Sequence, residues 1–175
     1  MRSFNAILSM VGLILFTVGC SARGSVVPED FSLSFYWDTG SLPPQYHYAY
    51  VVTIGPGLQG ELDFIPGYGN TEGAHQWVTA FEISSEALQD VYTFFAENDL
   101  LRSRWQTGRG LIGGSSTSII LKAFGKETHI PSISELKNED KQLIEQSMNV
   151  IRALFPASVW DEMNTRQMEF ENSFQ

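Results

Sequence analysis

A change in the period of hydrophobicity along the chain is the strongest constraint on its fold. Up to Ile83, apolar and polar residues alternate in four segments, and a period of two predicts strands with one buried face. From Ser85 the period lengthens to that of a helix over 85–98, with Leu88 and Phe95 seven residues apart on one face. The four predicted strands are 31–38, 45–54, 60–66 and 76–83.

The second half of the chain repeats this order with fewer elements. Two strands are predicted around a tight turn at Gly125-Lys126, and two helices follow them. The pattern predicts an α+β fold, an antiparallel sheet of about five to six strands with two to three helices packed on one face. The remaining predicted elements are strands 117–124 and 127–130, a helix over 137–155, a short helix through Trp160 and Met163, and a C-terminal tail over 164–175.

Composition restricts the classes of function that this fold serves. The 175 residues suit one domain, predicted here over 31–163, and a hydrophobic fraction of 43% is enough for a core. The net charge of −9 argues against nucleic acid as a partner, because phosphate binding needs a basic surface. The single Cys excludes an internal disulfide and multi-Cys metal sites, and no motif predicts a cofactor.

The first 19 residues are typical of a secretory signal. Arg2 is their one charged residue, and residues 6–19 carry no charge. As a helix this run would span about 21 Å, which is shorter than a bilayer core of roughly 30 Å. Its length is that of the apolar region of a signal peptide.

The segment Thr17-Val18-Gly19-Cys20 resembles the lipobox of bacterial lipoproteins, with Thr17 where that family usually has Leu. The resemblance covers residues 1–20 only. It implies that 1–19 is a cleaved signal peptide and that Cys20 carries acyl chains such as palmitate. The membrane would then be a partner through lipidated Cys20, and the protein would lie in the cell envelope.

Ser21 is similar to the residue that directs lipoproteins to the outer membrane in cells with two membranes. Residues 20–30 then form the lipidated Cys and a tether to the domain. Two alternatives stay open: an ordinary signal peptide cleaved after Ser21 or Ala22, and an uncleaved anchor over 6–19.

Strand parity predicts one group of candidate metal ligands. His47, Glu61, Glu82 and His129 all fall on the face of the sheet away from the helices, and imidazoles and carboxylates together suit divalent cations. The alternative is an ordinary solvated sheet face, because polar residues are expected on any uncovered face. Another parity prediction places Tyr46, Tyr48 and Tyr50 in the core or at its edge.

A loop that is rich in arginine and glycine is the candidate for partner or ligand binding. It contains Arg102, Arg104, Trp105 and Arg109, and both Arg and Trp are frequent in binding hot spots. It is not a phosphate loop, because a strand rather than a helix follows its glycines. The alternative is a surface loop whose arginines pair with nearby acids such as Glu97 and Asp99.

No sequence motif for catalysis is present, and no catalytic residue is predicted. The motif G-x-S-x-G is missing, as is H-E-x-x-H. The sequence therefore favours a small cell-envelope lipoprotein that acts as a non-catalytic accessory or binding protein, with an envelope protein as a possible partner. Two alternatives remain: an envelope hydrolase or metal-dependent enzyme that uses the polar sheet face, and a small-ligand-binding or inhibitor module.

Overall fold

In the part of the chain that the structure describes, six antiparallel strands form one open sheet, and three helices pack against one of its faces. The computed structural model describes residues 26–102, 104–110 and 113–175. The strand order across the sheet is β4-β3-β2-β1-β5-β6, and the predicted α+β fold is confirmed. The elements are β1 Ser32–Asp38, β2 Tyr48–Ile54, β3 Gln59–Pro66, β4 Trp77–Glu82, α1 Ser85–Glu97, β5 Ser116–Ala123, β6 Lys126–Ile130, α2 Asn138–Arg152 and α3 Ala157–Asn172.

The core lies between the sheet and the helices. On the central strand β1, Phe35 is paired with Val52 of β2 on one side and with Ile119 of β5 on the other. All three are buried, as period-two alternation requires. The helices contribute buried side chains to the same core, including Val91 and Phe95 of α1, Ile144 and Ile151 of α2, and Met163 of α3.

The C-terminal segment differs from its prediction, because α3 continues through most of the predicted tail. Gln167 and Phe170 are buried there, and the helix ends only at Asn172. The polar Gln167 interrupts the apolar stripe of this helix, so the sequence pattern hides it. The preceding helix α2 is shorter than predicted and ends at Arg152, and Pro156 directly precedes α3.

The hairpin between β5 and β6 turns at Phe124-Gly125, one residue earlier than predicted. Both residues have positive φ, +55° for Phe124 and +70° for Gly125, as a type I′ turn requires. The carboxylate of Asp30 accepts hydrogen bonds from the backbone N–H of Phe124 (2.9 Å) and of Gly125 (2.6 Å). The start of the domain is thereby tied to this turn.

Two further predictions concern the tyrosines around the start of β2 and the N-terminal segment. Tyr46 is 51% exposed, which contradicts its predicted packing, because β2 begins only at Tyr48; Tyr50 is buried as predicted. The predicted signal peptide, Cys20 and most of the tether lie outside the described residues. Within the part of the chain that the structure describes, no helix is both long enough and apolar enough to cross a bilayer.

Candidate functional site

A cleft of about 510 Å³ lies at one end of the sheet face that the helices leave uncovered. We call it the Tyr36–His47 cleft. Four side chains give it chemical character, namely Tyr36, Asp38, His47 and Tyr68. Its other lining residues are Gly40, Ser41, Ala49, Ile65, Gly67, Gly69, Gly114 and Ser116.

The end of β1 and the turn after it shape the cleft. Asp38 is paired with Ala49 on one side and with Ser116 on the other, and these small neighbours leave open space above the sheet. Its Oδ1 accepts a hydrogen bond from the backbone N–H of Gly40 at 2.6 Å. Gly40 has a φ of +81°, and a Cβ there would lie 2.3 Å from the carbonyl oxygen of Gly114. Only glycine therefore allows the two walls to approach this closely.

His47 is held in one tautomer by the backbone. The residue is only 6% exposed, and its Nδ1 lies 2.6 Å from the carbonyl oxygen of Gly67. A carbonyl oxygen can only accept, so Nδ1 carries the proton and Nε2 of the neutral ring is an acceptor. The imidazole also stacks on Tyr68, with ring centroids 3.8 Å apart and planes at 20°. The Tyr68 hydroxyl donates to the carbonyl oxygen of Leu42 at 2.7 Å, which fixes the stacked pair.

Tyr36 and Asp38 lie two residues apart on β1, and both line the cleft. Burial and the hydrogen bond from its hydroxyl to the Asp38 carboxylate together raise the pKa of Tyr36 to about 12. Tyr36 therefore stays protonated at neutral pH and donates to the carboxylate. No Lys or Arg lines the cleft in the described residues. The described lining therefore carries one carboxylate, that of Asp38, and two tyrosine rings, but no cationic side chain.

The cleft lacks the hydrogen bonds of a hydrolytic triad. Asp38, His47 and the hydroxyls of Ser41 and Ser116 all line it. In a triad the carboxylate binds the imidazole and the imidazole binds the hydroxyl. Here Nδ1 of His47 is occupied by the Gly67 carbonyl, and the described residues show no hydrogen bond from His47 to Asp38 or to either serine.

The four candidate metal ligands share the uncovered face as predicted, but the strand register separates them. His129 on β6 and Glu82 on β4 occupy opposite edges, five strand intervals or about 24 Å apart. His47 and Glu61 lie near opposite ends of the paired strands β2 and β3. His129 instead bonds Glu127 at 2.6 Å. Across 26–102, 104–110 and 113–175, no three His, Cys, Asp or Glu side chains are arranged to hold a metal ion.

The arginine loop is partly structural. Nη2 of Arg102 forms a 2.5 Å ion pair with Asp140 at the start of α2, not with Glu97 or Asp99, and its guanidinium lies 4.0 Å from the centre of the Trp105 ring. Trp105 in turn packs against the core. Only Arg104 and Arg109 are exposed. The loop therefore presents two of the four predicted residues to solvent.

Of the candidate site residues predicted from the sequence, His47 alone lines the Tyr36–His47 cleft among the described residues. Tyr36 and Asp38 are predicted on the same sheet face as His47, and three glycines that line the cleft lie in predicted turns: Gly40, Gly67 and Gly69. Strand parity and these turn glycines were therefore the sequence signals that could have indicated the cleft. Strand order, which brings these segments together, cannot be read from one sequence. Comparison with models of known protein families gave no match, and no curated protein is significantly similar to the chain.

Proposed function

We propose that the chain is a small cell-envelope lipoprotein that acts as a non-catalytic binding protein, with its ligand held in the Tyr36–His47 cleft. The lining of that cleft carries the proposal. A concave site with a few fixed polar groups and aromatic walls is typical of a small-molecule site. The lipobox-like segment ending at Cys20 supports the anchor and the envelope location.

The lining favours a neutral ligand that is rich in hydroxyl groups. The carboxylate of Asp38 and Nε2 of His47 accept hydrogen bonds, and the hydroxyls of Ser41 and Ser116 both donate and accept, so a ligand with hydroxyl groups fits this lining. An anion would face the Asp38 carboxylate, and no cation of the described lining would offset the repulsion. A full positive charge is not required, because Asp38 already accepts from Gly40 N–H and from Tyr36. The rings of Tyr36 and Tyr68 offer flat surfaces to a sugar.

Histidine-selective NMR tests this site directly. The full chain is purified in detergent micelles and titrated with methyl β-glucoside, and His75 and His129 serve as internal controls because neither lines the cleft. We expect saturable shifts of the His47 ring signals alone. Asp38→Asn weakens binding by about tenfold, the loss of one charge-assisted hydrogen bond.

The matched control is Glu61→Gln, which removes a carboxylate from the same sheet face outside the cleft. It leaves the titration unchanged. A titration in which His47 does not shift, or in which Asp38→Asn and Glu61→Gln behave alike, contradicts the cleft as the ligand site.

The anchor is tested separately by mass spectrometry of the protein from membranes. We expect a mature N-terminus at Cys20 with acyl chains attached, and Cys20→Ser prevents both processing and acylation. An unmodified N-terminus at Ala22 or beyond contradicts the lipoprotein part of the proposal and leaves the cleft part untouched.

A further inference from the structure

A second cavity, of about 300 Å³, lies on the helix side of the sheet. It is separate from the Tyr36–His47 cleft and shares no lining residue with it. Strand β2 and helices α2 and α3 form its walls. The lining residues are Tyr48, Tyr50, Arg152, Trp160, Met163 and Asn164, so we call it the Arg152 cavity.

Arg152 forms no ion pair with a carboxylate of the described residues. Within the described parts of the chain, no carboxylate oxygen lies within 4.0 Å of its guanidinium. Its Nε and Nη2 donate instead to the hydroxyl of Tyr50 at 3.2 and 3.1 Å. Acidic residues outnumber basic ones by 20 to 11, so the missing partner does not reflect a shortage of acids.

Aromatic rings hold this guanidinium in position. Its Cζ lies 5.8 Å from the centre of the Trp37 ring and 5.9 Å from that of Trp160. The Trp160 indole N–H donates to the backbone carbonyl of Arg152 at 3.3 Å, which ties α3 to the end of α2. Because Nε is used by Tyr50, the edge formed by Nη1 and the second hydrogen of Nη2 remains for another acceptor.

We propose that the Arg152 cavity binds a small organic carboxylate. The free edge of the guanidinium matches the two oxygens of a carboxylate in a bidentate geometry. Asn164 and the hydroxyl of Tyr48 line the same cavity and add hydrogen-bond donors. Trp160 and Met163 supply apolar contacts for the hydrocarbon part of the ligand.

A phosphate dianion fits this cavity less well than a carboxylate. Among the described residues, Arg152 is the one cation in its lining. It stands in the last turn of α2, where the helix dipole opposes additional negative charge. The single negative charge of a carboxylate balances the single positive charge of the Arg152 guanidinium, whereas a phosphate dianion would leave one negative charge unbalanced. The proposal does not depend on the proposed function, because it concerns a different cavity.

Titration of the full chain in detergent with sodium benzoate tests the proposal. Binding is measured by calorimetry and by the fluorescence of the tryptophans. We expect saturable binding of benzoate, and none of benzamide, which has the same shape without the charge. Arg152→Lys keeps the charge but removes the fork, and Arg152→Met removes both; each weakens benzoate binding by about tenfold or more.

Arg166→Met is the matched control. Arg166 also lies over a tryptophan, 4.8 Å from the centre of the Trp77 ring, but it pairs with Glu162 at 2.8 Å. This variant leaves benzoate binding unchanged. Equal binding of benzamide, no binding of benzoate, tighter binding of inorganic phosphate, or unchanged binding in Arg152→Lys would each overturn the proposal. The comparison of benzoate with benzamide uses the unaltered chain, so it holds even if Arg152→Met fails to fold.

Discussion

Replacing Phe124 should stabilise the domain, because the native residue is strained and gains little from burial. Phe124 has a φ of +55° and is 70% exposed at the tip of the β5–β6 hairpin. The left-handed region costs an L-residue about 1–2 kcal/mol, and Asn tolerates it best among residues with a side chain. Asn-Gly is also the preferred pair for a type I′ turn. Phe124→Asn therefore raises the free energy of unfolding by about 1 kcal/mol.

Thermal unfolding followed by circular dichroism measures this gain. For a domain of roughly this size, 1 kcal/mol corresponds to a rise in Tm of about 2–4 °C. Phe124→Ala is the control, because it removes the ring but keeps the backbone penalty, and its Tm stays close to that of the native chain. Both variants retain the backbone N–H that donates to Asp30. A Tm that is equal in the two variants, or lower in Phe124→Asn than in the native chain, refutes the reasoning from backbone strain.

Two further predictions concern the arginine loop and the cleft. Arg102→Glu places a second carboxylate against Asp140 and removes the contact with Trp105, so denaturant unfolding should show a free energy of unfolding lower by about 1–2 kcal/mol. Arg104→Glu is the control, because this exposed position should change the free energy of unfolding very little. Equal losses in the two variants would contradict the pairing of Arg102 with Asp140. The pKa of Tyr36 rises from 10.0 to about 12 on folding, so the stability linked to its protonated hydroxyl is complete below pH 10 and is lost as the pH rises to 12. The absorbance difference between the native chain and Tyr36→Phe measures this titration, and in Asp38→Asn the midpoint moves toward 10 without reaching it, because burial remains.

The strands were predictable because their side chains have one wet face and one buried face. Phe35, Val52 and Ile119 follow that rule on three neighbouring strands, and parity alone placed them in the core. The fold class followed from the order of the periods, since four strands before the first helix leave an antiparallel meander as the simplest arrangement. The position of the β5–β6 turn was predicted one residue too late, because Phe124 occupies a turn position with positive φ, which a sequence pattern does not assign to phenylalanine.

The site depends on information that a single sequence does not contain. Parity put His47 on the same face as Glu61 and His129, but only the register shows that these residues lie far apart. Asp38 and Tyr36 join His47 because β1 and β2 are neighbours, and Gly114 closes the cleft from a distant part of the chain. The second half of α3 was missed for a different reason. Gln167 is buried within the apolar stripe of this helix, but in a hydrophobicity pattern a buried amide cannot be distinguished from a surface residue.

Strand β1 runs from the Asp30 end of the domain to the end at which both cavities lie. It begins two residues after Asp30, which binds the β5–β6 turn, and it ends at Trp37 and Asp38. Seven residues of strand cover about 20 Å. The Trp37 ring lies 5.8 Å from the guanidinium of Arg152 and Asp38 lines the Tyr36–His47 cleft, so the two cavities lie at the same end of the domain on opposite sides of the sheet. Strand β1 therefore acts as a rigid spacer of about 20 Å between the Asp30 end of the domain and both cavities.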